Sequence, residues 1–181
     1  MAERKEDELL VERFSRGDET AFNSIVEQYS GDIAMLTNRL LGWPGEVDDV
    51  TQDIFLAAFI GLRKFRRDCS LKTWLFTITI NKCRSYRYRW KLRQTRTIPI
   101  KDIGARLPHA ETADKETHEQ VRRAVAALPT KYREPVVLKY LHELSTDEIR
   151  RILGLSTNAL EVRLSRARNH LRKELTYIVE L

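Results

Sequence analysis

Apolar residues recur at three- and four-residue intervals along almost all of this 181-residue chain, and the recurrence lapses once, between Leu92 and about Thr117. Such spacing puts side chains on one face of an α-helix. Glycine and proline together number twelve, too few to punctuate a series of short strands. Inside the lapse Pro99, Gly104 and Pro108 sit among polar residues, which reads as a linker. The pattern predicts an all-α chain of two small helical domains, 1–91 and 118–181, joined by a flexible linker over 92–117.

Within the first domain, short helices are expected at about 5–16, 19–30 and 31–42. Gly17-Asp18 and Gly31-Asp32 serve as breaks, and Gly42-Trp43-Pro44-Gly45 as a firm turn. A longer amphipathic helix follows from Glu46 to Phe65. Val47, Val50, Ile54, Ala57, Ala58 and Gly61 line one of its sides, while Asp49, Gln52, Asp53 and Leu56 fall on another. Thr77-Ile78-Thr79-Ile80 favours a strand by β-branching, but Leu71, Trp74, Leu75 and Ile78 hold helical spacing and predict a helix over 71–90.

Charge is distributed in blocks. Residues 1–62 carry five Lys+Arg against thirteen Asp+Glu, whereas residues 63–96 carry twelve basic residues and one acidic. The first block suits a basic protein groove and the second suits phosphates. Phe65, Trp74, Phe76, Tyr86, Tyr88 and Trp90 are interleaved with the cations, as stacking on nucleic-acid bases requires. The bland alternative is two solvated faces. The longest apolar run, Ile54 to Leu62, has nine residues, less than half of a membrane span, and Met1 to Glu8 is charged where a signal peptide would be apolar. A cytoplasmic chain without membrane insertion is expected, with Cys69 and Cys83 as reduced thiols.

The second domain is expected to hold a helix through Ala127, a Leu128-Pro129 turn, and a helix over about 130–142 whose regular part starts late because of Pro135. Ser145-Thr146-Asp147-Glu148 then forms a capping box, Gly154 ends that helix, and Ser156 caps a last one from Thr157 to about Ile178. Two helices joined by Gly154-Leu155-Ser156 have the form of a helix-turn-helix. At about 100° per residue, Leu160, Leu164, Ala167 and Leu171 cluster on the inward side. Asn158, Glu161, Val162, Ser165, Arg166 and Asn169 point outward and form the base-reading set. Arg163 and Arg168 flank the stripe, placed for phosphates or internal ion pairs.

These features together resemble the extracytoplasmic-function sigma factors of bacterial RNA polymerase. In the first domain the resemblance rests on Gly17-Asp18 with Ala21-Phe22, on Asp48 through Phe55, and on Lys72-Thr73-Trp74-Leu75 with Asn81. In the second it rests on Leu128 through Arg133, Leu144-Ser145 through Ile149, and Arg163 through Arg168. It covers nearly the whole chain.

The resemblance implies a promoter-specificity subunit that binds core RNA polymerase, recognises upstream and downstream promoter elements and promotes strand opening, with an anti-sigma factor as a further partner. Asp49, Gln52, Asp53 and Phe55 match the segment that docks on the polymerase. Residues from Phe65 to Tyr88 match the part that holds the downstream element as single-stranded DNA: Lys72, Lys82, Arg84 and Arg87 on phosphates, Thr73 and Asn81 on bases. Trp74 fits either DNA contact or the apolar stripe. Glu161, Val162, Ser165 and Arg166 match the upstream-reading positions, the face found independently from the helical wheel. Glu161 stands where relatives often carry a basic residue; a carboxylate repels phosphate and accepts from a cytosine amino group.

The rival reading, a helix-turn-helix regulator of the response-regulator type acting without being a polymerase subunit, accounts for residues 118–181 and leaves the acidic and basic-aromatic segments unexplained. An enzyme reading would use Asp48, Asp49 and Asp53 as a metal cluster. Only Asp49 and Asp53 share a helix face, and no second acidic cluster complements them. Neither catalysis nor a cofactor or metal is expected.

Overall fold

The computed structural model describes residues 2–42, 47–96 and 113–179. Helix α1 spans Ala2–Ser15, α2 Thr20–Leu41, α3 Val47–Leu62 and α4 Leu71–Arg96. Then come α5 (Ala113–Ala127), α6 (Thr130–Val136), a π-helical turn (Val137–Leu141), α7 (Thr146–Leu153) and α8 (Thr157–Val179). No strand occurs among the described residues, and none of their helices is long and apolar enough to cross a membrane.

The α1–α2 junction forms as expected. Gly17 adopts φ +96°, and the Asp18 carboxylate accepts from the Thr20 amide at 3.1 Å and from Arg13 Nε at 2.9 Å. The Thr20 hydroxyl and the Arg13 guanidinium hold that carboxyl below its ordinary pKa. The break expected at Gly31 is absent, because α2 runs unbroken. Gly31 lies on the exposed side, while Tyr29, Ile33 and Leu36 bury the other, and that burial outweighs a helix-propensity cost of about 1 kcal/mol. The Gly42–Gly45 turn falls largely on 43–46, outside the described residues.

Phe14, Phe22 and Phe59 lock α1, α2 and α3 together, with Phe59 meeting the other two edge-on at 5.3 and 5.1 Å between ring centroids. Helix α4 closes the bundle through Leu71, Leu75, Phe76 and Ile80. The β-branched run inside it stays helical, and the Thr77 and Thr79 hydroxyls donate to the carbonyls of Thr73 and Leu75 one turn back. Helix also claims both ends of the expected linker, since α4 reaches Arg96 and α5 begins at Ala113. Residues 92–96 and 113–117 contain neither glycine nor proline, so no strong helix breaker stands in either stretch. The rest of the linker, 97–112, lies outside the described residues.

In the second half, α6 begins at Thr130, earlier than Pro135 led us to expect. Proline removes the hydrogen bond back to Lys131, and the helix widens behind it into the π turn, closed by His142 N–H on the Val137 carbonyl at 3.1 Å. The Ser145–Glu148 capping box is present in both directions, and Gly154 ends α7 at φ +65°, a left-handed conformation that a Cβ would strain.

The two halves pack against each other. Arg39 Nη1 donates to the Leu141 carbonyl at 2.6 Å and contacts His142 Nε2 at 3.2 Å, while the Phe76 ring meets the His142 ring edge-on at 5.2 Å. Because a guanidinium only donates, Nε2 must accept, which needs an uncharged ring. Burial and then Arg39 lower the His142 pKa to about 4, with Asp32 opposing them and Lys72 adding a smaller push in the same direction.

Two outcomes follow from this packing. Ser145→Ala should cost about 1 kcal/mol in denaturant unfolding, through loss of the cap. Acidification should also destabilise the chain as pH falls from about 6.5 to about 4, because the unfolded His142 takes up a proton before the folded one does. Comparing the pH dependence of unfolding in the wild type and His142→Gln isolates this contribution, which the variant should lose.

Candidate functional site

Three surfaces carry the chemistry. The first is the outer side of α3, where Asp49, Gln52 and Asp53 are exposed. Leu56 and Ile60 continue the stripe at 59% and 67% exposure, so two large apolar side chains stand in water beside two carboxylates. That mixture suits a protein partner offering cations and apolar surface. Ile60 was not singled out from the sequence, although it lies four residues after Leu56 on the same face. Phe55 is half-buried and edge-on to Phe22 at 6.5 Å, so much of its ring serves the bundle. Asp49 and Asp53 also border a cavity of about 160 Å³ between α3 and α4, opposite Tyr86, Arg89 and Trp90. The acidic and basic-aromatic surfaces therefore adjoin, with Asp49, Asp53 and Arg89 all exposed.

The second surface is the α3–α4 loop, residues 63–70, with α4. Arg63, Lys64, Arg66 and Arg67 are exposed in the loop, and Arg67 is left-handed at φ +59°. Phe65 and Trp74 are half-buried and packed ring to ring at 5.1 Å. The Trp74 indole lies so close to Gly61 that a Cβ there would come within 3.1 Å of it, and the ring would have to shift by a few tenths of an ångström to admit one. Thr73 is 2% exposed; its hydroxyl lies 2.8 Å from Ser70 Oγ, which also accepts from the Thr73 amide at 3.1 Å. The Thr73 hydroxyl, expected on a base from the resemblance, is here engaged at the start of α4.

Asn81 and Tyr88 are exposed, and Lys82 is half-exposed. The remaining cations assigned to phosphates have protein partners. Lys72 pairs with Asp32 at 2.7 Å and lies 5.6 Å over the Phe76 ring. Arg87 donates to the Leu40 carbonyl at 2.9 Å. Arg84 forks onto Glu134 of α6, with Nε at 2.8 Å and Nη2 at 2.6 Å. Both cysteines are free, and burial raises their thiol pKa values, that of Cys83 to about 12.

The third surface is the helix pair α7–α8. Leu160 and Ala167 are buried and Leu164 and Leu171 half-buried against the core. Asn158, Glu161, Val162, Ser165, Arg166 and Asn169 are all exposed, so the outward face is the one the helical wheel predicts. Ser156 Oγ accepts from the Ala159 amide at 3.2 Å and starts α8. The Arg166 guanidinium interacts with the Tyr132 hydroxyl and lowers its pKa, and the Tyr132 ring lies 5.4 Å from that of His170. Among the described residues no group of His, Cys, Asp and Glu is arranged to hold a metal ion.

Two family models match in chain order: Sigma-70 region 2 over residues 25–92 and Sigma-70 region 4 over 118–171. The chain is 31% identical to the ECF RNA polymerase sigma-E factor of Escherichia coli strain K12, over 93% of each protein. It is likewise 31% identical to the ECF RNA polymerase sigma factor SigW of Bacillus subtilis strain 168, over 91% of this chain and 94% of that one. Among solved structures, CnrH in complex with the cytosolic domain of CnrY superposes with a TM-score of 0.71 at 30% identity, over 95% of this chain and 98% of that one. The sigma factor RpoE of Bartonella quintana, in complex with the anti-sigma factor NepR, shares the fold at the same TM-score and 22% identity, over 86% and 96%. With both sigma regions present in order and full-length relatives of this similarity, the chain belongs to the extracytoplasmic-function sigma factors.

Proposed function

We propose that this promoter-specificity subunit divides its work among the three surfaces. The outer stripe of α3, Asp49, Gln52, Asp53, Leu56 and Ile60 with the edge of Phe55, docks on core RNA polymerase. The α3–α4 loop and α4 hold the downstream element as a single strand, with Phe65, Trp74 and Tyr88 as stacking surfaces and Asn81 for base edges. Lys72, Lys82, Arg84 and Arg87 take its phosphates. The outward face of α8 enters the major groove of the upstream element, where Arg166 is suited to guanine and Glu161 to a cytosine amino group. Residues 1–91 and 118–181 act as the two functional domains, with 92–117 between them. The subunit itself performs no covalent reaction; the polymerase does. An anti-sigma factor covers its surfaces in the resting cell, as CnrY and NepR accompany the two similar structures.

The observation that carries this reading is the exposed acidic and apolar stripe on α3. It lies on a different helix from the duplex-reading face, and a regulator acting without polymerase has no use for it. Reconstituting the chain with core polymerase and mapping the transcripts tests the whole assignment: promoter-specific starts are expected, and none would refute it.

Two variants separate the surfaces. Asp49→Lys with Asp53→Lys should abolish comigration with core polymerase while leaving the circular dichroism spectrum unchanged, since both side chains are exposed. Arg166→Ala should weaken binding to an upstream duplex selected from a randomised pool by about 1–3 kcal/mol and leave polymerase binding intact.

A further inference from the structure

The packing of the second half on the first hides part of the surface assigned to the downstream strand. Glu134 is 2% exposed on α6, and its two carboxylate oxygens receive Nε and Nη2 of Arg84 on α4. This parallel fork is also how a guanidinium grips a phosphate. Alongside, Arg87 of α4 and the buried Arg133 of α6 both donate to the Leu40 carbonyl, at 2.9 and 2.8 Å. At the other end of α4, Arg151 of α7 donates to the Asp68 carbonyl in the α3–α4 loop. The outward face of α8 stays open throughout.

We propose that Glu134 is a built-in phosphate mimic, which occupies Arg84 in a closed form of the free subunit and is displaced by the sugar-phosphate backbone of the downstream strand. The proposal rests on the reading of Arg84 as a phosphate contact. Its consequence is an order of engagement: the closed form presents its duplex-reading helix first, and the single-strand surface becomes complete only after α6 leaves α4.

The interface is built to part. One carboxylate faces three guanidinium groups, so positive charge is in excess: Arg84 takes both carboxylate oxygens, while Arg87 and Arg133 donate to backbone carbonyls and feel Glu134 at longer range. Burial and the neighbouring Arg87 lower the Arg133 pKa to about 10, and its Nε has no hydrogen-bond partner despite being enclosed. A buried ion pair also returns little net stability after desolvation. Arg84 keeps 39% of its side chain in solvent, so an incoming phosphate reaches it from outside.

The test uses the full chain without polymerase. Glu134→Gln keeps the shape of the side chain and removes its charge; Glu134→Met serves as the second variant should glutamine unfold the protein. Binding of a labelled single-stranded oligonucleotide of randomised sequence is measured at low salt, together with the radius of gyration by X-ray scattering. If the wild type is open about a tenth of the time, full opening raises affinity about tenfold, and the radius of gyration rises with it. Unchanged affinity, or increased affinity with unchanged dimensions, overturns the proposal. Arg84→Gln added to Glu134→Gln should remove the gain. A gain that survives it refutes the phosphate role of Arg84 instead.

Discussion

Every helix ends with carbonyls that have no partner in their own ladder, and here one buried guanidinium gathers such carbonyls from two helices. Arg133 donates to Leu40 at the end of α2, to Ala126 near the end of α5, and to Leu128 just beyond it at 3.0 Å. The arrangement fixes where the second half rests on the first. It also brings Glu134, the next residue, to Arg84. Polar groups in the seam between the two halves thus help set their relative placement, alongside the apolar cores of each, which join into one buried cluster.

Those cores follow ordinary amphipathic logic, and what remains outside them is informative. Helix α3 is apolar on two sides, one buried through Val50, Ile54 and Ala58 and one bare through Leu56 and Ile60. A helix that keeps large apolar residues in water is one whose second face has a use elsewhere. Helix α8 differs: its outward face is polar and charged apart from Val162, as suits a hydrated groove lined by phosphates.

The parts legible in the sequence were those decided within one helical turn. The capping box at Ser145, the stop at Gly154 and the two faces of α8 depend on neighbours three or four residues away, and the structure has them as expected. The parts that were not legible depend on distant partners. Lys72 meets Asp32 forty residues earlier and Arg84 meets Glu134 fifty residues later, so no local pattern marks either cation as engaged. The burial of Thr73 was not legible either, since a threonine at a helix start looks the same in sequence whether it caps the backbone or faces a ligand. Gly31 misled because a glycine on an exposed face yields to the packing of the face opposite.

Cys83 sits at 2% exposure beneath this seam, with its thiol pKa near 12. At neutral pH only about one such thiol in 100,000 is a thiolate, the form that peroxides and electrophiles attack. Cys69 is shifted in the same direction. Burial thus keeps both sulfurs toward the protonated form, which reacts more slowly with peroxides and electrophiles than the thiolate does.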